Sequence, residues 1–131
     1  MEKTLVFVKP DGVKRGLVGT ILKRFEKRGL VIEQMKMMTI SSELADQHYQ
    51  EHLEKPFYPK LKAYVTSGPV VVMVLKGEGV VSLIRKMVGA TNSAEAEPGT
   101  IRGDFAYTLT ENVVHASDSV DSAEREIGLY F

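Results

Sequence analysis

Three histidines are the side chains of this sequence best suited to proton or group transfer, because a free imidazole with a pKa of about 6.5 is largely neutral at neutral pH. His115 comes at the end of a short apolar segment and is followed by the small residues Ala116 and Ser117, which leave space over its ring. No serine or cysteine is paired with it in a known catalytic pattern. His115 is therefore a general base, a nucleophile itself or a buried structural histidine.

His48 and His52 are four residues apart in a predicted helix, and such a pair can bind zinc where a third ligand exists. The residues between them do not form the H-E-x-x-H pattern, so we interpret them as an ordinary pair on a helix surface. The sequence has no cysteine, which excludes disulfides, thiolate metal sites and a cysteine nucleophile.

Basic and hydroxyl side chains lie at the ends of predicted elements, where they could bind an anion. Lys9 lies beside a Pro-Asp-Gly sequence, Arg85 late in a helix, Thr91 in a long loop, and Arg102 inside a Gly-Thr-Ile-Arg-Gly segment. Guanidinium groups suit the paired oxygens of a phosphate. Each side chain alone is more typical of a solvated surface charge, so an anion site depends on the fold bringing them together.

The established glycine-rich phosphate motifs do not explain such a site. A P-loop pattern is absent from the sequence. Gly77, Gly79 and Ser82 match a dinucleotide-binding fingerprint only weakly, and no acidic partner follows at the required spacing, so we interpret them as a tight turn between a strand and a helix.

Length and composition predict one globular domain over residues 1–131, with 44% hydrophobic and 26% charged residues. Seventeen Lys and Arg are balanced by 17 Asp and Glu, so no overall basic field is available to hold nucleic acid or an anionic membrane. The longest apolar run, Val70 to Leu75, is far shorter than the ~20 residues that span a membrane. We expect a cytoplasmic protein without a nucleic-acid or membrane partner.

The elements that must position these side chains alternate between strands and helices. Val70 to Leu75 is apolar at every position and predicts a central strand buried on both faces. Lys9 to Gly12 predicts a turn, and Ala90 to Asp104 a long functional loop. The other predicted strands cover residues 5–8, 30–40, 105–109 and 113–115, and helices are predicted at 17–28, 42–53, 59–67, 80–88 and 121–129. This order indicates a layered α/β or α+β sheet with strand directions open.

Five short segments, in the same order and spacing, make this sequence similar to the nucleoside diphosphate kinase family over essentially its whole length. The strongest is the segment NVVHASDS at residues 112–119, which resembles that family's active-site signature. The others are KPDGV at 9–13, His48-Tyr49 with Pro56-Phe57, the segment ATN at 90–92, and PGTIRGDF at 98–105.

The resemblance implies an α+β fold of the ferredoxin-like type, a four-stranded antiparallel sheet with helices packed mainly on one face. It implies transfer of the γ-phosphoryl group of a nucleoside triphosphate to a nucleoside diphosphate, by a ping-pong mechanism through a phosphohistidine and with broad tolerance of base and sugar. Mg²⁺ would ride on the nucleotide phosphates with little direct protein ligation, and the chain would form a homo-oligomer.

The resemblance also assigns roles to individual residues. His115 would attack through Nδ1, while Glu126 near the other ring nitrogen holds its tautomer and Ser117 lies close by. Phosphates and ribose would be contacted by Lys9, Tyr49, Arg85, Thr91, Arg102 and Asn112, and the base would lie in an apolar slot of Phe57, Leu61 and Leu109.

Three features depart from many members of the family. Ala116 stands where many have Gly, and Ser93 stands where many have Pro, which puts the rigidity of that loop in question. The sequence ends at Tyr130 and Phe131, without the tail that many members use in subunit contacts. We therefore expect a homo-oligomer in which dimers are sturdier than the higher assembly, whether tetramer or hexamer.

A second hypothesis is a non-catalytic nucleotide-binding or regulatory module on the same fold, because fold alone does not determine function. Loss of the histidine or of the arginine would favour it. Both His115 and Arg102 are present.

Overall fold

The fold is built on one four-stranded antiparallel sheet, and the computed structural model describes all 131 residues. The strands are β1 (Glu2–Val8), β2 (Val31–Thr39), β3 (Pro69–Gly77) and β4 (Val114–Ala116). Their order across the sheet is β2-β3-β1-β4, and every neighbouring pair is antiparallel. This is the ferredoxin-like arrangement, so the predicted fold class is confirmed.

Seven α-helices connect and cover the strands. They are α1 (Pro10–Lys14), α2 (Val18–Lys27), α3 (Ser42–His48), α4 (Tyr58–Val65), α5 (Val80–Val88), α6 (Ile101–Phe105) and α7 (Val120–Tyr130), with single 3-10 turns at Gln50–His52 and Ser93–Glu95. Helix α3 begins where the sequence predicts, because the Ser41 side chain accepts a hydrogen bond from the Leu44 amide. No helix is long and apolar enough to cross a membrane.

Two apolar clusters, one on each face of the sheet, hold the molecule together. In β1, Val6 and Val8 pack in the cluster that includes α2 and α5, while Leu5 and Phe7 pack in the cluster that includes α3, α4 and α7. Helices therefore cover both faces of the sheet, whereas the resemblance implied helices packed mainly on one face. The physical reason is that the central strands β1 and β3 are apolar at consecutive positions, so both of their faces must be buried.

Three local predictions differ from the structure. Lys9 to Gly12 is not a turn, because α1 begins at Pro10, and proline suits the first turn of a helix. Residues 105–109 are not a strand: Phe105 ends α6, residues 107–109 are exposed, and the chain bends at 108–110. The predicted loop at 90–104 contains the start of α6, where the Thr100 hydroxyl accepts from the Gly103 amide.

The last strand begins one residue later than predicted, at Val114, because Val113 has a φ of 73°. Positive φ is rare for a β-branched residue and marks local backbone strain. The Val113 carbonyl accepts a hydrogen bond of 2.7 Å from the Lys9 amide, and the Val113 side chain is fully buried. This constrained corner joins the end of β1 to the start of β4 beside His115.

Candidate active site

A cavity of about 490 Å³ opens beside β4, and it collects the residues that the sequence singled out. All of the predicted site residues except Ser117 line it: Lys9, Tyr49, Phe57, Leu61, Arg85, Thr91, Arg102, Leu109, Asn112, His115 and Glu126. These residues come from separate parts of the chain, and the fold brings them to one place. The basic residues, which are scattered along the sequence, therefore meet in one cavity. This was the condition for interpreting them as an anion site.

His115 is held in a fixed orientation in the middle of β4. It lies directly opposite Phe7 in the β1–β4 register, and the two rings stack with centroids 4.8 Å apart. Its Nε2 lies 2.7 Å from Oε1 of Glu126 on α7. Ser117, which is buried behind the cavity, donates its hydroxyl to the same carboxylate oxygen at 2.9 Å. The contact with Glu126 leaves Nδ1 as the ring nitrogen available to a ligand.

The surroundings keep His115 neutral. Burial lowers its pKa well below the ordinary value, and the positive charges of Lys9, Arg102 and Arg85 lower the pKa further. The contact with Glu126 is therefore a hydrogen bond from a neutral Nε2–H to a carboxylate rather than a pair of full charges. Burial also raises the pKa of Glu126, while the Ser117 hydroxyl opposes that shift. A neutral ring with its proton on Nε2 has its lone pair on Nδ1.

Lys9 is a buried amine aimed into the cavity. Its Nζ donates to Oδ1 of Asn112 at 2.7 Å, and the Asn112 amide donates to the Thr91 carbonyl at 3.1 Å. Burial, helped by the charge of Arg102, lowers the pKa of Lys9 to about 7. An amine with this pKa is poised to take up a proton when an anion arrives.

Arg102 is fixed by carbonyl groups. Its guanidinium donates to Val114 at 2.7 Å and to Gly89 at 3.1 Å, and its Nε donates to Asn112 at 3.4 Å. Burial lowers its pKa to about 10, so the group stays charged at neutral pH. Arg85 reaches the cavity from α5 and donates to the Ala116 carbonyl at 3.1 Å. Two guanidinium groups thus flank the strand that carries His115.

The predicted base slot forms an open rim of the cavity. Phe57 is 51% exposed and Leu109 is 60% exposed, and Leu61 lies between exposed and buried. Tyr49 lies deeper, and its buried hydroxyl has no hydrogen-bond partner. Burial raises the pKa of Tyr49, so its hydroxyl keeps its proton and can donate to a ligand.

His48 is not on a helix surface, contrary to the sequence-based interpretation. It is 4% exposed, its Nδ1 lies 3.0 Å from the Tyr130 hydroxyl, and its ring meets His115 edge-on with centroids 4.6 Å apart. Burial lowers its pKa to about 3. The sequence signal that was missed is the apolar Ala45 three residues earlier. Residues three apart lie on the same face of a helix, so His48 shares the buried face of α3 with Ala45.

Arg125 is a second residue that sequence reasoning missed. From α7 it donates to the carbonyls of Gln47 and His48, at 3.0 and 3.1 Å, and so satisfies the carboxyl end of α3. It also lines the cavity. No local pattern reveals this role, because Arg125 and the α3 carbonyls are far apart in the sequence.

The two departures from the family pattern that lie near the site are both buried. Ala116 is 2% exposed beside His115, and Ser93 is 3% exposed at the start of the 3-10 turn Ser93–Glu95. The Ser93 hydroxyl has no hydrogen-bond partner. The turn is ordered instead by Asn92, whose side chain accepts from the Ala94 amide at 3.2 Å.

Comparisons with known proteins agree with one another. The family model described as nucleoside diphosphate kinase matches residues 2–131. Proteins named nucleoside diphosphate kinase from Thermus thermophilus and Archaeoglobus fulgidus are each 60% identical over 131 residues; the match covers 100% of this chain and 96% and 87% of theirs.

Solved structures give the same result. A halophilic nucleoside diphosphate kinase from Halobacterium salinarum, in complex with CDP, superposes with a TM-score of 0.97 at 48% identity, covering 99% of this chain and 87% of that one. The apo enzyme from Encephalitozoon cuniculi superposes with a TM-score of 0.98 at 39% identity, covering 100% and 89%.

The similar backbone, the near-complete coverage and the cavity around His115 all indicate the same family. Similarity of fold alone would leave the relationship open, but identity of 60% over the whole chain does not. The chain belongs to the nucleoside diphosphate kinase family.

Proposed function

We propose that this protein transfers the γ-phosphoryl group of a nucleoside triphosphate to a nucleoside diphosphate, through a phosphohistidine formed on Nδ1 of His115. One observation carries the proposal: Nε2 of His115 is tied to Glu126 at 2.7 Å, while the ring faces a cavity lined by cationic side chains. Family membership supports the same reaction class.

Bonds and charges balance in both half-reactions. The Nδ1 lone pair forms a bond to the γ-phosphorus, the bond to the β,γ-bridging oxygen breaks, and the nucleoside diphosphate leaves with that electron pair. The ring keeps its Nε2 proton, and Glu126 stabilises the positive charge that develops on the ring. A terminal phosphate oxygen of a second nucleoside diphosphate then attacks the phosphorus, and breakage of the N–P bond returns the neutral ring.

Arg85, Arg102 and Lys9 supply the positive charge that phosphoryl transfer needs. Charge in the transition state lies on the peripheral phosphate oxygens, so catalysis consists mainly of positioning and electrostatic stabilisation. Hydrogen bonds to charged groups contribute about 1.5–3 kcal/mol each, so three such groups offset much of the cost of binding without a P-loop. The remaining polar contacts are assigned to Tyr49, Thr91 and Asn112, with Ser117 supporting Glu126.

We infer that Mg²⁺ comes with the nucleotide. The cluster of possible metal ligands in the chain, His48, His115 and Glu126, offers two nitrogen atoms, whereas Mg²⁺ requires six oxygen ligands in near-octahedral geometry. This cluster therefore does not suit Mg²⁺, which supports delivery of the ion by the nucleotide. Bound to the phosphates, Mg²⁺ would neutralise their charge.

The open slot of Phe57, Leu61 and Leu109 supports broad tolerance of base. It offers a stacking face and aliphatic packing, and strong selectivity arises where a buried polar group is left unpaired by the wrong substrate. We expect adenine and guanine diphosphates to differ in kcat/KM by less than roughly a hundredfold. A larger difference would mean that a polar group, such as nearby His52, reads the base edge.

The wider assignments are part of the same proposal. Residues 1–131 act as one domain, nucleoside triphosphates and diphosphates are the partners, and the chain forms a homo-oligomer in the cytoplasm. The alternative, a non-catalytic nucleotide-binding module, is not favoured, because both His115 and Arg102 are present and line the cavity.

The decisive experiment is incubation with γ-labelled ATP and Mg²⁺, followed by a test for an acid-labile, base-stable phosphoprotein. We expect label in the native protein and none in His115→Ala, with ping-pong kinetics for the native protein. His52→Ala is the matched control and should keep its label. Near-normal transfer by His115→Ala, or label on Ser117, would contradict the proposal.

A further inference from the structure

His48 adds a second imidazole to the pair of His115 and Glu126 in the cavity, and the phosphoryl-transfer chemistry does not require this third side chain. The metal-binding atoms of His48, His115 and Glu126 all lie within 4.8 Å of one another. Nε2 of His115 is 2.7 Å from one oxygen of Glu126, and Nε2 of His48 is 4.0 Å from the other. The carboxylate therefore lies between the two rings.

We propose that His48, His115 and Glu126 form a binding site for one divalent ion of the Zn²⁺ class in the nucleotide-free protein, and that the bound ion holds His115 in a non-nucleophilic form. Two histidines and a glutamate are a donor set that zinc accepts in three-ligand sites with an open fourth position. All three residues line the open cavity, which supplies a route of entry and leaves room for a fourth ligand.

The three side chains must shift to bind one ion. Tetrahedral ligands at about 2.0–2.1 Å from zinc lie roughly 3.4 Å from one another. Nε2 of His115 and Oε1 of Glu126, now 2.7 Å apart, would separate by about 0.7 Å, and donor atoms that now lie up to 4.8 Å apart would approach by up to about 1.4 Å, through rotation of the side chains. Mg²⁺ would not compete well, since imidazole nitrogen suits zinc and related ions better than magnesium.

Outer contacts of the kind that support metal ligands are already in place. Nδ1 of His48 lies 3.0 Å from the Tyr130 hydroxyl, which can accept the Nδ1 proton and leave Nε2 free for a metal. The Ser117 hydroxyl donates to Glu126 at 2.9 Å.

The positive side chains around the cavity oppose the ion. Lys9, Arg85 and Arg102 all act on the His115 ring, and they repel a dication as they repel a proton. We therefore expect weaker binding than at closed structural zinc sites. This property suits a reversible inhibitor rather than a resident cofactor.

Inhibition follows from the tautomer. When the ion takes the lone pair of Nε2, the single ring proton of His115 moves from Nε2 to Nδ1, with no net proton release. Nδ1 then has no lone pair with which to attack phosphorus. Binding of the ion is independent of the proposed phosphoryl transfer, and only this inhibitory consequence rests on it.

Cobalt, a spectroscopic substitute for zinc, tests the site without any assay of activity. Tag-free protein without nucleotide is titrated with Co²⁺, and the visible absorption of four-coordinate cobalt is followed. We expect a saturable signal at one ion per chain that added Zn²⁺ removes. His48→Gln should weaken binding at least about tenfold, and so should Tyr130→Phe, which removes only the outer partner.

His52→Gln is the matched control, because it removes an imidazole from the same segment but outside the cluster, and it should leave binding unchanged. An equal loss in His52→Gln would assign the ion to the His48 and His52 pair and overturn the proposal. Unchanged binding in His48→Gln, or no saturable signal in the native protein, would also overturn it. If His48→Gln does not fold, as judged by circular dichroism, Tyr130→Phe decides the question.

Zn²⁺ should also block labelling by Mg-ATP, and a chelator should restore the labelling. The two proposals fail separately. A protein that never becomes labelled, even after chelation, contradicts phosphoryl transfer but leaves the cobalt result standing.

Discussion

At the scale of single residues, the site depends on two buried groups whose proton affinities are shifted downward. His115 is kept neutral by burial and by three nearby cations, and a hydrogen bond to Glu126 orients it. Lys9 is buried against Asn112 with its pKa lowered to about 7. Both shifts arise from the same two causes, burial of the group and the positive charges of neighbouring side chains.

The first prediction concerns the charge on Glu126. Glu126→Gln keeps a hydrogen-bond acceptor beside Nε2 but removes the charge that stabilises the phosphorylated ring in the proposed mechanism. Because a hydrogen bond to a charged group contributes about 1.5–3 kcal/mol, we expect kcat to fall roughly tenfold to a hundredfold, with little change in KM. Glu124→Gln, an exposed change on the same helix, should leave kcat unchanged. Equal kcat in the two variants would show that the charge of Glu126 does not contribute to catalysis.

The second prediction concerns proton uptake by Lys9. With a pKa of about 7 in the free protein, Lys9 is mostly neutral near pH 8, and a bound phosphate raises that pKa. Binding of a nucleoside diphosphate should therefore take up close to one proton near pH 8 and almost none from this group near pH 6. Calorimetry in two buffers of different ionisation enthalpy measures the uptake.

Lys9→Met should abolish that uptake. Lys60→Met, which removes an exposed amine at the cavity rim, should retain it. Uptake near pH 8 that persists in Lys9→Met would assign the proton to another group.

At the scale of elements, the short helix α6 controls the position of Arg102. The Thr100 hydroxyl caps the helix at Gly103, and Asp104 accepts from the Gly99 amide at 2.9 Å and pairs with Arg24 at 2.6 Å. These contacts fold the loop back on itself, so that Arg102 points inward to the carbonyls of Gly89, Asn112 and Val114. The conformation of residues 99–104 therefore determines where the Arg102 guanidinium lies.

The third prediction tests that coupling at Gly103. A Cβ at this position would overlap the Glu97 carbonyl and lie 2.8 Å from the Thr100 hydroxyl oxygen. Gly103→Ala should lower the free energy of unfolding by about 1–3 kcal/mol and reduce kcat/KM as Arg102 shifts.

Gly128→Ala is the control for the effect of the added methyl group. Gly128 lies in α7 with open space around its Cα, so alanine should stabilise the helix by about 0.5–1 kcal/mol. Thermal unfolding and steady-state kinetics measure both variants. A fully active Gly103→Ala protein would show that the conformation of α6 does not control the position of Arg102.

At the scale of the whole molecule, the edge strand β2 leaves apolar side chains in solvent. Val31, Met35 and Met37 are 57%, 51% and 62% exposed. Near the end of the chain, Leu129 and Tyr130 pack against the protein's own core, and the last residue, Phe131, is 41% exposed. An exposed apolar edge strand favours pairing with another chain. The proposed self-association therefore has its best-supported surface at β2.

The fourth prediction is that the native protein sediments as a homo-oligomer and that Met37→Lys shifts dissociation to higher protein concentration. A buried side chain of this size contributes roughly 1.5–3 kcal/mol, so one lysine should weaken association at least tenfold. Val120→Lys, an equally drastic change at an exposed position on α7, serves as the control. A native protein that is active and strictly monomeric at every concentration would contradict this expectation.

Local patterns predicted several of the strands and helices and the residues that meet in the cavity. Val70 to Leu75 could be placed at the centre of a sheet because only burial on both faces accommodates six consecutive apolar residues. The motif at 112–119 identified His115 because its chemistry depends on residue types within one segment. Helix α6 was missed because its cap at Thr100 lies inside a segment with no apolar period.

Short motifs along the chain were enough to single out most of the residues that line the cavity, and the family resemblance that they carry predicted the fold class, whereas hydrophobic periodicity alone left the strand directions open. Three features became evident only in the folded protein: the burial of His48, the hydrogen bonds from Arg125 to the end of α3, and the lowered pKa values of Lys9 and His115. These features depend on which distant residues exclude water from one another, because desolvation and Coulomb interactions act through space rather than along the chain.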